Sequence, residues 1–175
     1  MSDDFKPAKT KLKIFSKEAG GPTVEAQYNP RELQVDRTIP WSKPSGTNKT
    51  GNAKGTPGQI KLEFTGAEGR SMSVELLFDG VEQKEAGGKK VAQAIADLET
   101  LASVRKVDGK KDDERRPFHC IVQWGDRGLP TFKCVIESLQ IKYQMFDDSG
   151  LPLRATATVK LKEADTVNLA KKEGA

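Results

Sequence analysis

Along most of this sequence, apolar and polar side chains alternate at every second position. Between Met72 and Phe78, for example, positions 72, 74, 76 and 78 are apolar, and a serine, a glutamate and a leucine stand between them. Alternation with a period of two is typical of a β-strand that buries one face and exposes the other. The same pattern predicts strands in segments 12–15, 24–35, 60–64, 118–124, 132–143 and 155–161.

Two of these segments contain an irregularity. Pro30 interrupts the segment 24–35, and we expect Leu33 and Val35 to continue the strand after this break. In the segment after Phe132 the alternation slips by one residue near Glu137 and Ser138. A β-bulge at that point would let one long strand keep both sets of apolar residues on the buried face.

One segment has the spacing of a helix. From Lys89 to about Arg105, apolar residues recur every three or four positions, which predicts an amphipathic α-helix preceded by Gly87 and Gly88. Its apolar stripe is narrow, so we expect it to cover one face of a sheet.

A long segment predicts a loop. Residues Ile39 to Gly58 are rich in Gly, Pro, Asn, Thr and Lys, and they include almost no apolar side chains. Loops of about 20 residues are uncommon in compact domains and are usually functional or disordered. A second segment, Arg105 to Arg116, alternates in charge and reads as a solvated connection.

The order of these elements predicts a mainly β protein: an antiparallel β-barrel or sandwich with one α-helix packed against it. We expect an N-terminal extension over 1–9 and one domain over 10–163. That domain includes the long loop 39–58 and the helix at about 89–105. A C-terminal tail would cover 164–175. The length of 175 residues is typical of a single domain.

The composition and charge of the chain argue against several classes of protein. The net charge is only +4, and the basic residues are interspersed with many acidic residues. They do not form the basic stripe that is typical of a nucleic-acid-binding protein. No apolar run approaches the length of a membrane span, and the N-terminal sequence does not resemble a signal peptide. We therefore expect synthesis in the cytoplasm and no direct membrane binding. Cys120 and Cys134 fall at apolar positions of predicted strands, where free thiols act as small hydrophobic side chains.

Candidate chemistry is scarce. His119 is the single histidine, and its neighbour Cys120 would point to the opposite face of a strand, so we expect His119 to face outward and predict no metal site. No nucleophile motif or phosphate-binding loop occurs, and Gly66 to Ser71 reads as a hairpin turn between strands. We predict neither a cofactor nor an enzyme. Phe64, Phe78, Phe118, Trp124 and Phe132 fall on apolar strand faces, which argues against a nucleic-acid-binding β-barrel.

Six short motifs occur in order along the chain: Gln27–Pro30, Leu76–Asp79, Gln123–Gly125, Phe132, Ser138–Phe146 and Gly150–Ala155. Together they resemble the tube-protein domain of contractile injection systems, which are particles similar to phage tails. The resemblance covers about residues 10–163. We interpret the motif positions as residues that shape the fold: Tyr28, Asn29, Pro30, Trp124, Gly125, Gly150, Pro152 and Arg154.

The resemblance implies the fold of phage tail tubes and secretion tubes, assembled as a homohexameric ring around a channel. It further implies a position at the baseplate end, where the ring joins the spike hub to the inner tube and initiates tube assembly. Its partners would be other copies, other tube rings, and spike and baseplate proteins. The particle would be released from the cell or docked at a membrane. Many relatives carry a C-terminal LysM domain, for which the sequence after the last strand is too short.

Alternatives remain open at this stage. A subunit of the main tube shaft is the nearest one, and a nucleic-acid-binding β-barrel is a more distant one. If a ring forms, we expect Trp41, Lys43, Lys49 and Lys54 of the long loop to contact adjacent subunits. Candidates for the channel lining are Lys61, Glu63, Ser73 and Glu75.

Overall fold

The computed structural model describes residues 10–43, 62–83, 85–106, 115–125 and 129–167. These residues form nine strands, one α-helix and a short 3-10 helix at Val81–Gln83. The strands are β1 (Leu12–Ser16), β2 (Thr23–Glu25), β3 (Gln34–Asp36), β4 (Trp41–Ser42), β5 (Glu63–Phe64), β6 (Ser71–Asp79), β7 (Cys120–Trp124), β8 (Phe132–Phe146) and β9 (Pro152–Glu163). The helix, α1, covers Glu85–Ala102.

Seven strands form one antiparallel sheet in the order β2-β1-β7-β8-β9-β6-β3. Strands β4 and β5 pair with each other in a separate two-stranded sheet. The predicted fold class, a mainly β protein with one packed helix, is confirmed. Among the described residues the sheet ends at β2 and β3 and does not close into a barrel, so the arrangement is a layered one, like a sandwich.

The core lies between α1 and one face of this sheet. Val91, Ile95, Leu98 and Leu101 form the buried stripe of the helix, as the spacing predicts. Beneath the helix, β9 contributes small side chains, and its alanines at 155 and 157 are completely buried. Alanine at these positions lets the helix approach the sheet closely. Burying each large apolar side chain contributes about 1.5–3 kcal/mol.

The predicted bulge in β8 is confirmed. The register between β8 and β9 shifts between Ile136 and Ser138, so Ile136 faces Leu161 and, beyond the bulge, Leu139 faces Val159. One extra residue therefore keeps both halves of a 15-residue strand in phase with the core.

The prediction for the second strand is wrong in one respect. Val35 does not continue β2 beyond Pro30, because β3 pairs with β6 at the opposite edge of the sheet. The chain crosses the molecule between these two short strands. As a result, Tyr28 is 51% exposed and Val35 is 42% exposed, although the alternation places both on an apolar face.

The helix begins at Glu85, one turn before the predicted start, and ends at Ala102. Gly87 and Gly88 therefore lie inside α1 rather than before it. The reason is tertiary: a Cβ atom added at Gly87 would lie 1.9 Å from the carbonyl oxygen of Gly80. The first turn of the helix packs directly on the backbone that leaves β6, and only glycine permits this approach.

The segment predicted as a loop contains β4, because Trp41 pairs with Phe64 of β5. Since β5 pairs with β4 rather than with β6, Gly66–Ser71 connects two sheets and is not a hairpin turn. Phe64 is 55% exposed and does not belong to the core, contrary to the alternation. Residues 44–58 of the predicted loop, the N-terminal extension 1–9 and tail residues 168–175 lie outside the described residues.

His119 is buried, whereas the sequence predicts that it faces outward. Its Nε2 lies 2.7 Å from the carbonyl oxygen of Ala164, whose own amide donates to the Lys133 carbonyl. The start of the C-terminal tail therefore covers the histidine at the end of the sheet.

Cys120 and Cys134 are cross-strand neighbours with free, buried thiols. In the described part of the chain, no helix has the length and hydropathy needed to cross a bilayer.

Candidate assembly surfaces

Three of the sequence motifs meet around Asp79, at the end of β6. The Gln27 side chain accepts a hydrogen bond of 2.8 Å from the Asp79 amide and donates one of 2.6 Å to the Asp79 carbonyl. This pair of bonds ties the segment after β2 to the last residue of β6. The amide of the next residue, Gly80, donates to the carbonyl of Leu153 in β9 at 2.8 Å.

The side chain of Asp79 makes an ion pair with Arg154, which faces it across the sheet. The guanidinium donates two hydrogen bonds to Oδ2, of 3.0 Å from Nε and 2.5 Å from Nη2. A hydrogen bond from the Val81 amide and the charge of Arg154 hold the pKa of Asp79 below its ordinary value. Asp79 is therefore ionised and fully engaged in joining β6, β9 and the turn that follows.

Asn29 performs a similar task for β1. Its Oδ1 accepts a hydrogen bond from the Leu12 amide, and its Nδ2 donates to the Thr10 carbonyl. These bonds hold the start of β1. Beside it, Tyr28 and Pro30 line an open cleft of about 720 Å³ that Glu75 and Leu77 close from β6.

The remaining motif positions form turns. Trp124 ends β7 opposite Leu12, and Gly125 follows it with a φ of 70°, a value that favours glycine. In the connection from β8 to β9, Asp147 accepts hydrogen bonds from the amides of Ser149 and Leu151, and Gly150 has a φ of 85°. Pro152 then begins β9 opposite Phe146.

At the opposite end of the sheet, Glu163 and Arg70 form a second ion pair. Arg70 donates to both oxygens of Glu163, with a shortest distance of 2.6 Å, and its guanidinium lies 5.3 Å from the ring centroid of Phe132. The hydrogen bonds from the side chain and the amide of Arg70 lower the pKa of Glu163 to about 2. Both side chains are about 30% exposed, so water partly screens the pair.

Glu18 is a third enclosed carboxylate, and its partners are structural as well. It accepts hydrogen bonds from Arg116 at 2.8 Å and from the His119 amide at 2.9 Å. Burial raises the pKa of Glu18, and these bonds outweigh that effect and lower the pKa overall. An ionised, paired carboxylate is poorly suited to proton transfer. Within the described ranges, no group of histidine, cysteine and acidic residues has the arrangement of a metal site.

We call the sheet surface opposite α1 the open face. Across β8, β9 and β6 it carries polar side chains in register, such as Gln140, Thr158 and Glu75 in one row. Adjacent rows contain Ser138, Lys160 and Ser73, and Lys142, Thr156 and Leu77. No element formed by the described residues covers these side chains, which are half-buried or exposed. The sheet therefore has one apolar face under the helix and one polar face toward solvent.

The predicted channel-lining residues are divided between two places. Ser73 and Glu75 lie on the open face of β6, whereas Glu63 lies on β5 in the separate two-stranded sheet. Lys61 lies outside the described residues. On the open face, lysines at 142, 160 and 162 outnumber the single glutamate of β6, so the charge there is mixed with an excess of positive groups.

The predicted contact residues of the long loop lie partly on the β4–β5 hairpin. Trp41 is 57% exposed and contacts the ring of Phe64, with 5.6 Å between ring centroids. Lys43 follows β4 and is also exposed. Lys49 and Lys54 lie outside the described residues. The structure thus exposes an aromatic pair where the sequence indicated a mainly polar loop.

A second apolar surface was not evident from the sequence. Tyr143 and Phe146 near the end of β8 are 44% and 58% exposed beside α1. The different lengths of β8 and α1 could have indicated that part of the strand stays exposed. A 15-residue strand extends about 50 Å, and an 18-residue helix only about 27 Å, so the helix leaves part of β8 uncovered.

Comparison with known proteins agrees with these observations. A family profile described as contractile injection system tube protein matches residues 6–172, nearly the whole chain. No curated protein sequence matches the chain.

Proposed function

This chain belongs to the contractile injection system tube protein family, and we propose that it forms a hexameric ring at the baseplate end of the inner tube. In this role the ring joins the spike hub to the tube and initiates tube assembly. The proposed partners are other copies of the chain, adjacent tube rings, and spike and baseplate proteins. The function is structural, with no enzymatic activity.

The observation that carries this proposal is the difference between the two faces of the seven-stranded sheet. One face is buried under α1, and the open face bears rows of serine, threonine, glutamine and lysine side chains that no described element covers. In a ring whose open faces point inward, these rows line an aqueous channel. Polar, mixed-charge walls let a cargo pass without strong adhesion.

The edges of the sheet also suit a ring. A closed cyclic assembly uses head-to-tail contacts, so each copy needs two different complementary surfaces. One edge here is β2 and the other is β3, and they differ in sequence and surroundings. Together with the exposed β4–β5 hairpin, they offer unlike surfaces on one chain.

The proposal places assembly in the cytoplasm, before the particle is released or docks at a membrane. A subunit of the main tube shaft is the alternative within the same family, because the polar open face suits either position. The number of copies per particle separates the two: a shaft subunit repeats along the tube, and a tube initiator forms a single layer.

Electron microscopy provides the test. Purified protein is examined by negative stain for rings with six-fold symmetry, and intact particles are labelled with gold against a tag on this chain. We expect rings in the first case and label confined to the baseplate end in the second. Label along the whole tube would support the shaft subunit, and particles without label would contradict both roles.

A further inference from the structure

The β4–β5 hairpin has an apolar face that no other part of the described chain covers. Trp41 and Phe64 face each other across the two strands, and Ile39 and Leu62 precede them by two positions, the spacing that places side chains on one side of an extended chain. The exposed fractions of these four side chains are 51% to 57%. Clustered exposed apolar side chains are typical of interaction sites.

A groove of about 270 Å³ lies elsewhere on the same chain, between α1 and the end of β8. Ile95 and Ala96 contribute the helix side, and Tyr143 and Phe146 contribute the strand side. Glu99 supplies a carboxylate at the helix side. Both the groove and the hairpin face are exposed in one copy, so the hairpin does not fill its own groove.

The backbone beside the groove is strained. Met145, between Gln144 and Phe146, has a φ of 56°, the left-handed conformation that costs a residue with a side chain about 1–2 kcal/mol. This conformation interrupts the alternation of β8, and Phe146 lines the groove together with Tyr143. Such strain next to an exposed aromatic residue suggests selection for contact rather than for stability of the single chain.

We propose that the apolar hairpin face of one copy docks into this groove on a second copy. The inference rests on the proposed function, in which copies assemble through unlike surfaces. Its support is complementarity: the hairpin carries the exposed cation Lys43 beside Trp41, and the groove carries Glu99 among apolar side chains. Glu63 pairs with Ser42, on the other side of the hairpin, and does not oppose this contact.

Cross-linking tests the contact directly. The variant Trp41→Cys/Ala96→Cys is treated in its assembled state with a short bismaleimide, and the matched control is Trp41→Cys/Leu77→Cys, which directs the hairpin to the open cleft instead. The native thiols are fully buried and do not compete. We expect a ladder of covalent oligomers from the first variant alone. A ladder from the control alone, or none from either assembled protein, overturns the proposal.

A charge exchange tests the complementarity. Lys43→Glu and Glu99→Lys are each expected to lower the yield of assembled material at least tenfold, and the double variant is expected to restore it. Lys43→Glu/Glu82→Lys is the control, because Glu82 is an exposed acid away from the groove. No rescue by Glu99→Lys, or equal rescue by Glu82→Lys, contradicts the docking.

The docking of the hairpin and the proposed function can be tested separately. Circular dichroism first establishes that Phe146→Ser, and its control Val104→Ser at another exposed position, remain folded. If the unaltered chain is present in particles and Phe146→Ser enters them equally well, the docking is wrong and the proposed function stands. If the unaltered chain is absent from particles, both are wrong.

Discussion

At the scale of single residues, a few side chains and glycines hold the connections of the sheet. Gln27 binds the backbone of Asp79, and Arg154 binds its carboxylate. Gly80 and Gly87 bring the start of α1 against the end of β6. Gln27 and Arg154 therefore join separate parts of the sheet, and the wider interpretation of the motif positions as residues that shape the fold stays a prediction.

Substitution of Gly87 by alanine is expected to destabilise the protein. The new Cβ would lie 1.9 Å from the Gly80 carbonyl oxygen, which is backbone and cannot rotate away. We expect a loss of about 1–3 kcal/mol in the free energy of unfolding, typical of overpacking. Gly88→Ala is the control, since its Cβ meets the Leu151 side chain at 3.3 Å. Thermal unfolding of both variants measures the difference, and equal midpoints would refute the packing argument.

The ion pair of Glu163 and Arg70 predicts a dependence of stability on pH. The pKa of Glu163 is lowered in the folded state from 4.5 to about 2. The unfolded chain therefore takes up this proton first as the pH falls. The stabilisation is complete above pH 4.5 and is lost between pH 4.5 and about pH 2.

Glu163→Gln is accordingly expected to be less stable at pH 7 and to lose less stability over that acid range. Glu25→Gln is a suitable comparison, because the Lys13–Glu25 pair is about half exposed and screened by water. Urea unfolding at several pH values provides the measurement. Parallel curves for the unaltered protein and Glu163→Gln would show that the pair does not contribute.

At the scale of elements, the β4–β5 hairpin is independent of the main sheet. It pairs within itself, and its largest side chains are exposed. The seven-stranded sheet and α1 form the core without contributions from it. The core therefore does not depend on the hairpin, and we predict that assembly does.

Deletion of residues 42–57 is expected to preserve the fold and to prevent assembly. The deletion removes Ser42 of β4 and the segment after it and leaves the main sheet intact, so the circular dichroism spectrum and the thermal midpoint should change little. Particle formation is measured by electron microscopy. Deletion of 107–113 is the control, because the Arg105 amide already meets the Arg116 carbonyl at 3.1 Å and the connection is easily shortened. Normal particles from the first deletion would contradict the role of the segment.

At the scale of the whole molecule, the two faces of the sheet determine which partners are plausible. Proteins that bind single-stranded nucleic acids stack bases on aromatic side chains of a basic surface. The open face of β6, β8 and β9 has lysines, but its described rows contain no aromatic residue. The exposed rings of Trp41, Phe64, Tyr143 and Phe146 lie on the hairpin and in the groove instead.

Assembly is therefore expected to depend weakly on salt. A nucleic-acid complex with 6–10 phosphate contacts loses about 10³–10⁵ in affinity between 50 and 200 mM salt. We expect assembly, measured by sedimentation over the same range, to change less than tenfold because apolar contacts contribute to it. A gel-shift assay with single-stranded DNA and RNA is the parallel measurement. A salt-sensitive complex there would favour the nucleic-acid alternative.

Local patterns in the sequence determined the elements and the buried face of the main sheet. Alternation identified the apolar residues of β6 and β9, the slip near Glu137 predicted the bulge, and the i, i+3, i+4 spacing located the stripe of α1. These features follow from the geometry of a single strand or helix, so neighbouring residues are sufficient to encode them.

Only the tertiary structure decided which apolar residues remain exposed and how the strands are ordered. Phe64 has the pattern of a core residue, yet it lies on a hairpin that no described layer covers, and Tyr143 lies beside the helix, which leaves 44% of it exposed. The crossing from β2 to β3 and the contact of Gly80 with Gly87 join residues that are distant in sequence. Burial and pairing depend on what the rest of the chain places opposite a residue, and periodicity alone does not contain that information.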